Sequence, residues 1–483
     1  MSERPQSSSG AEAILHAMPC SVTLPAGSGK TELIAATAAE TARTSGSTLV
    51  LTHTHAGVDA LRQRMRKFGL ANSDVLVRTI DSWAFDLIVH FPALAGLVVP
   101  PAPDWDQSKK YHRAAARAVR TEAVQRMLKV SYTRVFVDEY QDCLIDQHEL
   151  ILAIAEAVPV AVFGDPLQSL FHFKDNVPVD WGQDVIPRFP AVEVPHWPHR
   201  WEPNHLELGR WLVWIRMKLI NEQPIDLRSA PVTWVRRADA LSYLAPCYGA
   251  GREQGSVAVL GHLRPDCVSA AKGLGGQFGV MEAMDEKVTM ELAQKIDGRQ
   301  GGVVASAVLD FALKSSVKLA GHVPVANRKK LAAGESFTTK KPERKTAYAA
   351  LLQMRSDPTV VSVYAALRCL GELPGVTVHC REAWDEMTRS LEVAMTDGCT
   401  VVEALHRTRQ SARARGRRPR SRVVSRPLLV KGLEYDHVII LDPSKYTAQE
   451  LYVALTRGSK SVTVLSDSPV LAPAKMAGAA TQQ

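Results

Sequence analysis

The 483-residue chain has few cysteines, few aromatic residues (6%) and no long hydrophobic run. Its seven cysteines are scattered without CxxC or Cys/His spacing, which argues against a disulfide scaffold or a zinc site and predicts a reducing, cytoplasmic location. No uninterrupted apolar stretch reaches the about 18 residues that a membrane span needs, and no apolar run follows a basic start. We therefore expect neither secretion nor a membrane partner.

Net charge is also small outside one segment. The chain carries 58 Lys plus Arg and 50 Asp plus Glu, a formal net charge of +8. Nine arginines fall within residues 407–426, without an acidic residue among them, and the rest of the chain holds 49 basic and 50 acidic residues. Such a block is either a solvated loop or a phosphate-binding arm, and we favour the arm.

A glycine-rich loop follows the first β-prone segment. Residues 21–24 are β-prone, residues 32–43 predict a helix, and Pro-Ala-Gly-Ser-Gly-Lys-Thr (25–31) lies between them. This is a Walker A motif in its strand–loop–helix context, although Leu24 stands where a small residue is usual. Lys30 would reach the β- and γ-phosphates and Thr31 would hold Mg²⁺; a glycine turn that binds nothing is the alternative. The predicted cofactor-binding residues of the loop are Ala26, Gly27, Ser28, Gly29, Lys30 and Thr31.

Two adjacent carboxylates end a later apolar strand. Residues 134–137 (Arg-Val-Phe-Val) run directly into Asp138 and Glu139. Carboxylates at the end of a buried strand are costly unless they serve a cation or a water. We interpret the pair as a Walker B site in which Asp138 binds Mg²⁺, directly or through water, and Glu139 polarises the attacking water. A strand end with solvated acids is the alternative.

Strands and helices alternate through the first part of the chain. Further β-prone segments at 48–52, 75–80 and 158–163 each end in polar residues, the last of them in Gly-Asp-Pro-Leu-Gln-Ser (164–169). This alternation predicts an α/β fold with a parallel sheet whose ligands lie at its carboxyl edge.

Five motifs occur in register over most of the chain: Gly-Ser-Gly-Lys-Thr (27–31), Asp-Glu-Tyr-Gln-Asp (138–142), Gly-Asp-Pro-Leu-Gln-Ser (164–169), Lys-Gly-Leu-Glu-Tyr-Asp (431–436) and Leu-Tyr-Val-Ala-Leu-Thr-Arg (451–457). Together they resemble motifs I, II, III, V and VI of the superfamily 1A helicases, the UvrD/Rep-like family. The resemblance implies two RecA-like P-loop NTPase domains with parallel sheets. It also implies ATP and Mg²⁺ between them, and single-stranded DNA or a single-strand/double-strand junction across their tops, usually with 3′ to 5′ movement.

The resemblance also implies roles around the nucleotide. Gln168 is similar to the motif III glutamine that senses the γ-phosphate, and Arg457 to the motif VI arginine finger. Arg200, in Trp-Pro-His-Arg-Trp (197–201), resembles the motif IV arginine, and Glu434 the motif V ribose contact. An inserted arginine is worth about 10³ to 10⁵ in rate in related P-loop systems, which supports a catalytic interpretation over a surface ion pair.

The DNA contacts depart from the family pattern. The adenine-stacking tyrosine of motif IV is His199 here, motif Ia carries His53 and His55, and Arg426 and Leu428 precede motif V. Each aromatic candidate is either a base-stacking residue or a plain core residue. The predicted nucleic-acid contacts are Thr52, His53, Trp83, Phe171, Arg415, Arg417 and Arg418, and Phe173 is a further stacking candidate.

The motifs also predict a domain organisation. Residues 1–195 are expected to form RecA-like domain 1A, with a small 1B-like insertion at about 90–130. Residues 196–275 and 423–470 are expected to form RecA-like domain 2A, interrupted at 276–422 by a mostly helical 2B-like insertion. Residues 471–483 are expected to be a flexible tail.

Two functions from different classes follow. The first is an ATP-dependent DNA translocase or helicase. The second is a DNA-stimulated regulatory ATPase subunit that controls a partner nuclease without processive unwinding, motivated by the short insertions and the altered DNA contacts. Short UvrD-like proteins occur as helicase components of two-gene phage-defence systems such as Gabija, so the resemblance also implies antiviral defence. A nucleotide-binding scaffold with a dead site conflicts with the intact motifs.

Overall fold

A computed structural model describes residues 7–44, 46–100, 103–170, 177–239, 241–252, 254–281, 286–415 and 420–474. They form two compact units. Unit 1 comprises the residues up to Ile225 together with Thr447–Ser459, and unit 2 comprises Asp226–Tyr446 and Lys460–Ala474. Within these ranges, every helix is too short or too polar to cross a bilayer.

Strands and helices alternate along most of unit 1. Its strands are β1 (Cys20–Thr23), β2 (Thr48–Thr52), β3 (Val75–Thr79), β4 (Arg134–Val137) and β5 (Val160–Gly164). Its first nine helices are α1 (Ser7–Ala17), α2 (Lys30–Arg43), α3 (His55–Lys67), α4 (Ile80–His90), α5 (Pro92–Ala95), α6 (Ser108–Val119), α7 (Glu122–Ser131), α8 (Ile145–Ala155) and α9 (Leu206–Ile220).

The five strands of unit 1 form one parallel sheet in the order β1-β5-β4-β2-β3. Both β2 and β5 are buried along their whole length, as expected for parallel strands covered on both faces. Leu49 and Leu51 belong to one hydrophobic cluster and Val50 to another, because successive side chains of a strand point to opposite faces. The turns after β1, β4 and β5 consequently share the carboxyl edge of the sheet.

The segment between β3 and β4 belongs to the core of the same unit. Helices α6 and α7 bury Tyr111, Val119 and Leu128 in the hydrophobic cluster that also holds side chains of β2 and β4. The described residues of 90–130, the expected 1B-like insertion, therefore include helices that pack with the sheet. Their likeness to a 1B domain stays a prediction.

Unit 2 combines a second sheet with a helical region. The strands that follow along the chain are β6 (Ile225–Asp226), β7 (Thr233–Arg236), β8 (Val257–Leu260), β9 (Gly279–Val280), β10 (Ser316–Val317), β11 (Thr377–Val378), β12 (Arg422–Ser425), β13 (Tyr435–Leu441), β14 (Gly458–Ser466) and β15 (Val470–Leu471). The helices are α10 (Leu244–Arg252), α11 (Arg264–Gly273), α12 (Glu286–Asp297), α13 (Gly301–Ser315), α14 (Leu319–His322), α15 (Val325–Ala332), α16 (Pro342–Ser356), α17 (Val360–Gly371), α18 (Arg381–Asp397) and α19 (Val401–Arg415). The last helix, α20 (Ala448–Leu455), returns to unit 1.

The second sheet has six strands in the order β7-β14-β13-β8-β12-β9. Strand β8 pairs in parallel with β12 and β13, β12 with β9, and β14 with β7. Helices α12 to α19 share one large hydrophobic cluster. Residues 286–415 are thus mostly helical, whereas β9 and the first residue of β12, at the two ends of the expected insertion 276–422, belong to the six-stranded sheet. The likeness of the helical region to a 2B insertion stays a prediction.

The strands β2 and β4 have the predicted bounds, and other predicted element ends differ from the observed ones by one to a few residues. Strand β3 ends at Thr79 because the Thr79 side chain accepts a hydrogen bond from the Ser82 N–H and caps α4, which begins at Ile80. Strand β5 begins at Val160 rather than at 158. Within the expected tail, Leu471 ends β15, and residues 475–483 lie outside the described part of the chain.

Candidate nucleotide site

The turn from β1 to α2 has the backbone of a phosphate-binding loop. Gly27 and Gly29 have φ of 68° and 86°, left-handed values that favour glycine. A Cβ on Gly27 would lie 2.7 Å from the Trp201 ring, so space also requires glycine there. Gly29 caps α2, which directs the first N–H groups of that helix toward the loop. The Ser28 hydroxyl is buried and has no hydrogen-bond partner among the described residues, as expected of a group that hydrogen-bonds to a ligand.

Lys30 joins this loop to the carboxylates after β4. Its Nζ lies 2.6 Å from Glu139 Oε1 and 3.3 Å from Asp138 Oδ1. The Lys30 and Asp138 side chains are almost fully buried, whereas Glu139 is about one-third exposed. One buried cation thus faces two carboxylates, which leaves a local excess of negative charge where a divalent cation can bind.

Burial and charge act in opposite directions on these groups. Burial lowers the pKa of Lys30, but the carboxylates of Asp138 and Glu139 outweigh it and hold the pKa above its usual value. Burial raises the pKa of Asp138 to about 6, although the Lys30 ammonium opposes this shift. Lys30 is therefore charged at neutral pH and available to a phosphate.

Glu139 is held in an unusual backbone conformation. Its φ of 56° is left-handed, which is uncommon for a residue with a side chain and is often found at functional sites. The Gln141 Nε2 amide donates to Glu139 Oε2 over 2.6 Å, and Gln141 Oε1 accepts from the Asp165 N–H over 2.9 Å. Gln141 thereby fixes the Glu139 carboxylate relative to the end of β5.

These residues fit a magnesium–nucleotide complex. The loop offers backbone N–H groups, the unpartnered Ser28 hydroxyl and the Lys30 ammonium to phosphates. Asp138 supplies the oxygen ligand that Mg²⁺ prefers, and Thr31, the second residue of α2, is placed to supply a hydroxyl oxygen. A bound Mg²⁺–nucleotide would supply the phosphoryl group and the charge that orients it, and Glu139 is the carboxylate available to a water.

Gln168 and Arg457 lie in contact. Arg457 is 1% exposed, and its Nη2 lies 3.3 Å from Gln168 Oε1. Arg457 Nε donates to the Val453 carbonyl over 3.0 Å, and Nη2 donates to Thr456 Oγ1 over 2.9 Å. The two residues that the motifs pair functionally are therefore neighbours in unit 1.

Arg200 approaches the same loop from the segment before α9. Its backbone N–H donates to the Gly27 carbonyl over 3.2 Å, and its Nη1 donates to the Thr456 carbonyl over 2.7 Å. His199 packs against Gly29, where a Cβ would lie 3.0 Å from the imidazole Cδ2. Both residues of the expected motif IV thus border the phosphate loop.

Three residues to which the sequence assigned no role complete the polar core of this site: Asp165, Arg216 and Tyr452. Arg216 Nη1 donates to both oxygens of Asp165 over 2.9 Å and to the Tyr452 hydroxyl over 2.8 Å. The Tyr452 hydroxyl also accepts the Ala26 N–H over 3.0 Å. Asp165 and Tyr452 lie within the motifs at 164–169 and 451–457, and Arg216 is one of the two arginines of α9, but no sequence pattern joined the three residues.

The structure describes only some of the residues that we expect to contact nucleic acid. Thr52 is 1% exposed at the end of β2, and Trp83 is 7% exposed within the hydrophobic core of unit 1. His53 is half-buried, with Nε2 3.5 Å from Cys143 Sγ. The residues Phe171, Phe173, Arg417 and Arg418 and the side chain of Arg415 lie outside the described part of the structure. All these DNA roles stay predictions.

Glu434, the expected ribose contact, lies in unit 2. It is exposed and directly precedes β13. The neighbouring Asp436 carboxylate accepts from Ser256 N over 2.8 Å, and its other oxygen lies 2.8 Å from Lys460 Nζ. These bonds anchor the start of β13, and the ribose role of Glu434 stays a prediction.

A family model described as an AAA domain matches residues 8–174. That range holds the phosphate loop, the Asp138–Glu139 pair and Gln168. The AAA domain is found in UvrD/Rep-like superfamily 1 helicases, so this part of the chain is similar to the nucleotide-binding P-loop NTPase domain of those proteins. A comparison with curated proteins gave no match.

Proposed function

We propose that the protein is an ATP-dependent DNA translocase or helicase of the UvrD-like type, which couples ATP hydrolysis to movement on single-stranded DNA. The observation that carries the proposal is the convergence of Lys30, Asp138 and Glu139 on one point beside the phosphate loop. Phosphoryl transfer requires this set of a phosphate cation, a metal ligand and a base that positions water.

The contact between Arg457 and Gln168 supports the same activity. A buried arginine in the unit that holds the phosphate loop can stabilise charge that develops on the γ-phosphate. DNA as the track and 3′ to 5′ direction are carried over from the five ordered motifs. Within the arginine-rich segment at 407–426, Arg407, Arg409 and Arg420 form ion pairs with Asp397, Glu386 and Asp385. The positive charge for a nucleic-acid backbone would therefore come from other arginines of the segment.

ATP turnover by two variants tests the chemical part of this proposal. In the presence of single-stranded DNA, Lys30→Ala is expected to lose turnover because the phosphates lose their cation. Glu139→Gln is expected to lose turnover while it still binds nucleotide, because only the base is removed. Phosphate release that survives in both variants would contradict the assignment of this site.

A second candidate is a regulatory ATPase subunit that responds to DNA and controls a partner nuclease without processive unwinding. It is favoured by the packing of helices α6 and α7 into the core of unit 1, where the segment between β3 and β4 contributes to the sheet's own cluster. A strand-displacement assay separates the two functions. DNA-stimulated hydrolysis with displacement supports the helicase, and stimulated hydrolysis without displacement supports the regulatory subunit.

A further inference from the structure

A continuous series of hydrogen bonds connects the phosphate loop with Gln168. It begins at the Ala26 N–H, passes through the Tyr452 hydroxyl and the Arg216 guanidinium, and reaches the Asp165 carboxylate. Asp165 Oδ2 then accepts from Gln168 Nε2 over 2.9 Å. The residue directly after β5 thereby joins residues of α9 and α20 at one buried point, all within unit 1.

The polar side chains of this hydrogen-bond series are almost fully buried. Asp165 is fully buried, Tyr452 is 1% exposed and Arg216 is 8% exposed. A buried carboxylate or guanidinium is costly without its partner, so each member depends on the others for its place. The Arg216 guanidinium also lies over the Tyr452 ring, with Cζ 5.1 Å from the ring centroid. Arg216 thus uses both the ring and the hydroxyl of Tyr452.

The series also sets the direction of the Gln168 amide. Because Nε2 donates to Asp165, Oε1 is turned to Arg457 Nη2. The Asp165 carboxylate is itself held by Arg216 and by the Leu167 N–H. The orientation of Gln168 therefore depends on two residues outside the phosphate loop, Asp165 and Arg216.

We propose that Tyr452 and Arg216 are positioning residues for ATP hydrolysis. Tyr452 holds the start of the phosphate loop through the Ala26 N–H, and Arg216 transmits that placement through Asp165 to the Gln168 amide. This inference rests on the proposed ATPase function. A misplacement of about 1 Å at a reacting centre costs on the order of 10²-fold in rate, so loss of this alignment lowers kcat rather than nucleotide affinity.

The test uses the full chain and removes one hydroxyl. Tyr452→Phe keeps the ring but removes the acceptor for the Ala26 N–H and for Arg216. Tyr348→Phe is the matched control, because Tyr348 is also buried and its hydroxyl also makes two hydrogen bonds, to Asn327 and the His322 carbonyl in unit 2. We expect kcat for ATP to fall roughly 10- to 100-fold in Tyr452→Phe, with KM unchanged, and both values to stay unchanged in Tyr348→Phe.

Conservative replacement distinguishes positioning from general stability. Arg216→Lys keeps a cation beside Asp165, whereas Arg216→Met removes it. The lysine variant is expected to recover part of the kcat that the methionine variant loses, even when thermal unfolding shows both variants folded. Equal kcat in wild type and Tyr452→Phe, or equal kcat in the folded lysine and methionine variants, would overturn the proposal.

Hydrogen exchange gives a readout that does not depend on catalysis. Without nucleotide, deuterium uptake in the peptide that covers residues 24–30 is expected to rise in Tyr452→Phe and to stay unchanged in Tyr348→Phe. A wild-type chain that hydrolyses no ATP with any nucleic acid would contradict the proposed function, and loop exchange would still report whether Tyr452 holds the loop. Loop exchange unchanged by Tyr452→Phe overturns the positioning proposal in either case.

Discussion

Arg457 Nη2 lies 3.3 Å from Gln168 Oε1, and this contact joins two residues that are 289 positions apart in the chain. The Arg457 guanidinium also donates a hydrogen bond from Nε to the Val453 carbonyl in α20. Gln168 is held by Asp165 at the end of β5. Hydrogen bonds within the protein therefore fix both side chains, which is the preorganisation that electrostatic catalysis uses.

Replacing this arginine is expected to slow hydrolysis strongly. Arg457→Ala should lower kcat about 10³-fold or more, because the transition state loses a buried positive charge. Arg457→Lys should restore little of the rate, since an ammonium lacks the planar fork whose Nε donates to Val453 while Nη2 contacts Gln168 and Thr456. Steady-state phosphate release measures both variants.

An exposed arginine provides the control for that change. Arg228 is paired with Asp226 on the surface of unit 2 and has about two-thirds of its side chain exposed. Arg228→Ala should leave kcat unchanged. An Arg457→Ala protein that hydrolyses ATP at the rate of Arg228→Ala would contradict the catalytic role of Arg457.

The buried pair of Arg216 and Asp165 makes a separate prediction about stability. Arg216→Met leaves the fully buried Asp165 carboxylate without its main partner, which should cost about 3–5 kcal/mol of local stability. The double variant Arg216→Met/Asp165→Asn should lose less than the sum of the two single changes, because the residues interact directly. Hydrogen exchange of peptides from β5 and α9 measures the loss, and additive effects would contradict the coupling.

Acid should weaken unit 2 through Asp436. The hydrogen bond from Lys460, with bonds from Ser256, lowers the pKa of Asp436 to about 2. Its pKa in the folded protein is thus below the value of about 3.9 in an unfolded chain. The stabilisation is therefore complete above about pH 5 and is lost as the pH falls from about 4 toward 2.

Asp436→Asn tests this pH dependence. The variant should unfold more easily than wild type at pH 7, and the difference in unfolding midpoint should narrow as the pH approaches 3. Urea denaturation at several pH values measures the unfolding midpoint of both proteins. A difference that is the same at pH 7 and pH 3 would show that the charge of Asp436 does not carry the effect.

The arginine-rich segment predicts a salt-dependent affinity for single-stranded DNA. Changing Arg415, Arg417 and Arg418 to Ala should weaken binding and reduce the slope of log affinity against log salt by roughly one for each phosphate that the variant no longer binds. The exposed residues Lys329, Lys330 and Lys341 of unit 2, changed to Ala together, are a control of equal charge. Unchanged affinity and slope in the arginine variant would contradict the hypothesis that residues 407–426 form a phosphate-binding arm.

The sequence predicted the parts of the site that depend on adjacent residues. The phosphate loop lies between a strand and a helix that touch it directly, and Asp138 and Glu139 follow one strand, so local order was sufficient. Gln168 and Arg457 could be assigned only through the resemblance, because their contact depends on the fold.

The residues that were missed act through tertiary contacts. Arg216 is 51 positions from Asp165 and 236 from Tyr452, and nothing in its helix indicates which buried groups it meets. The role of Gln141 depends likewise on Asp165, which the fold brings to it from the next strand. The observed end of β3 differs from the predicted one because helix capping at Thr79 depends on one side-chain hydrogen bond.

The measurement that tests the central claim most directly is the rate of phosphate release by the wild-type chain, with Mg²⁺–ATP, in titrations of single-stranded DNA, double-stranded DNA and RNA. A DNA-dependent motor predicts slow release alone and release that rises and saturates with single-stranded DNA, and that is lost in Glu139→Gln. A rate that is the same with and without every nucleic acid would contradict the account.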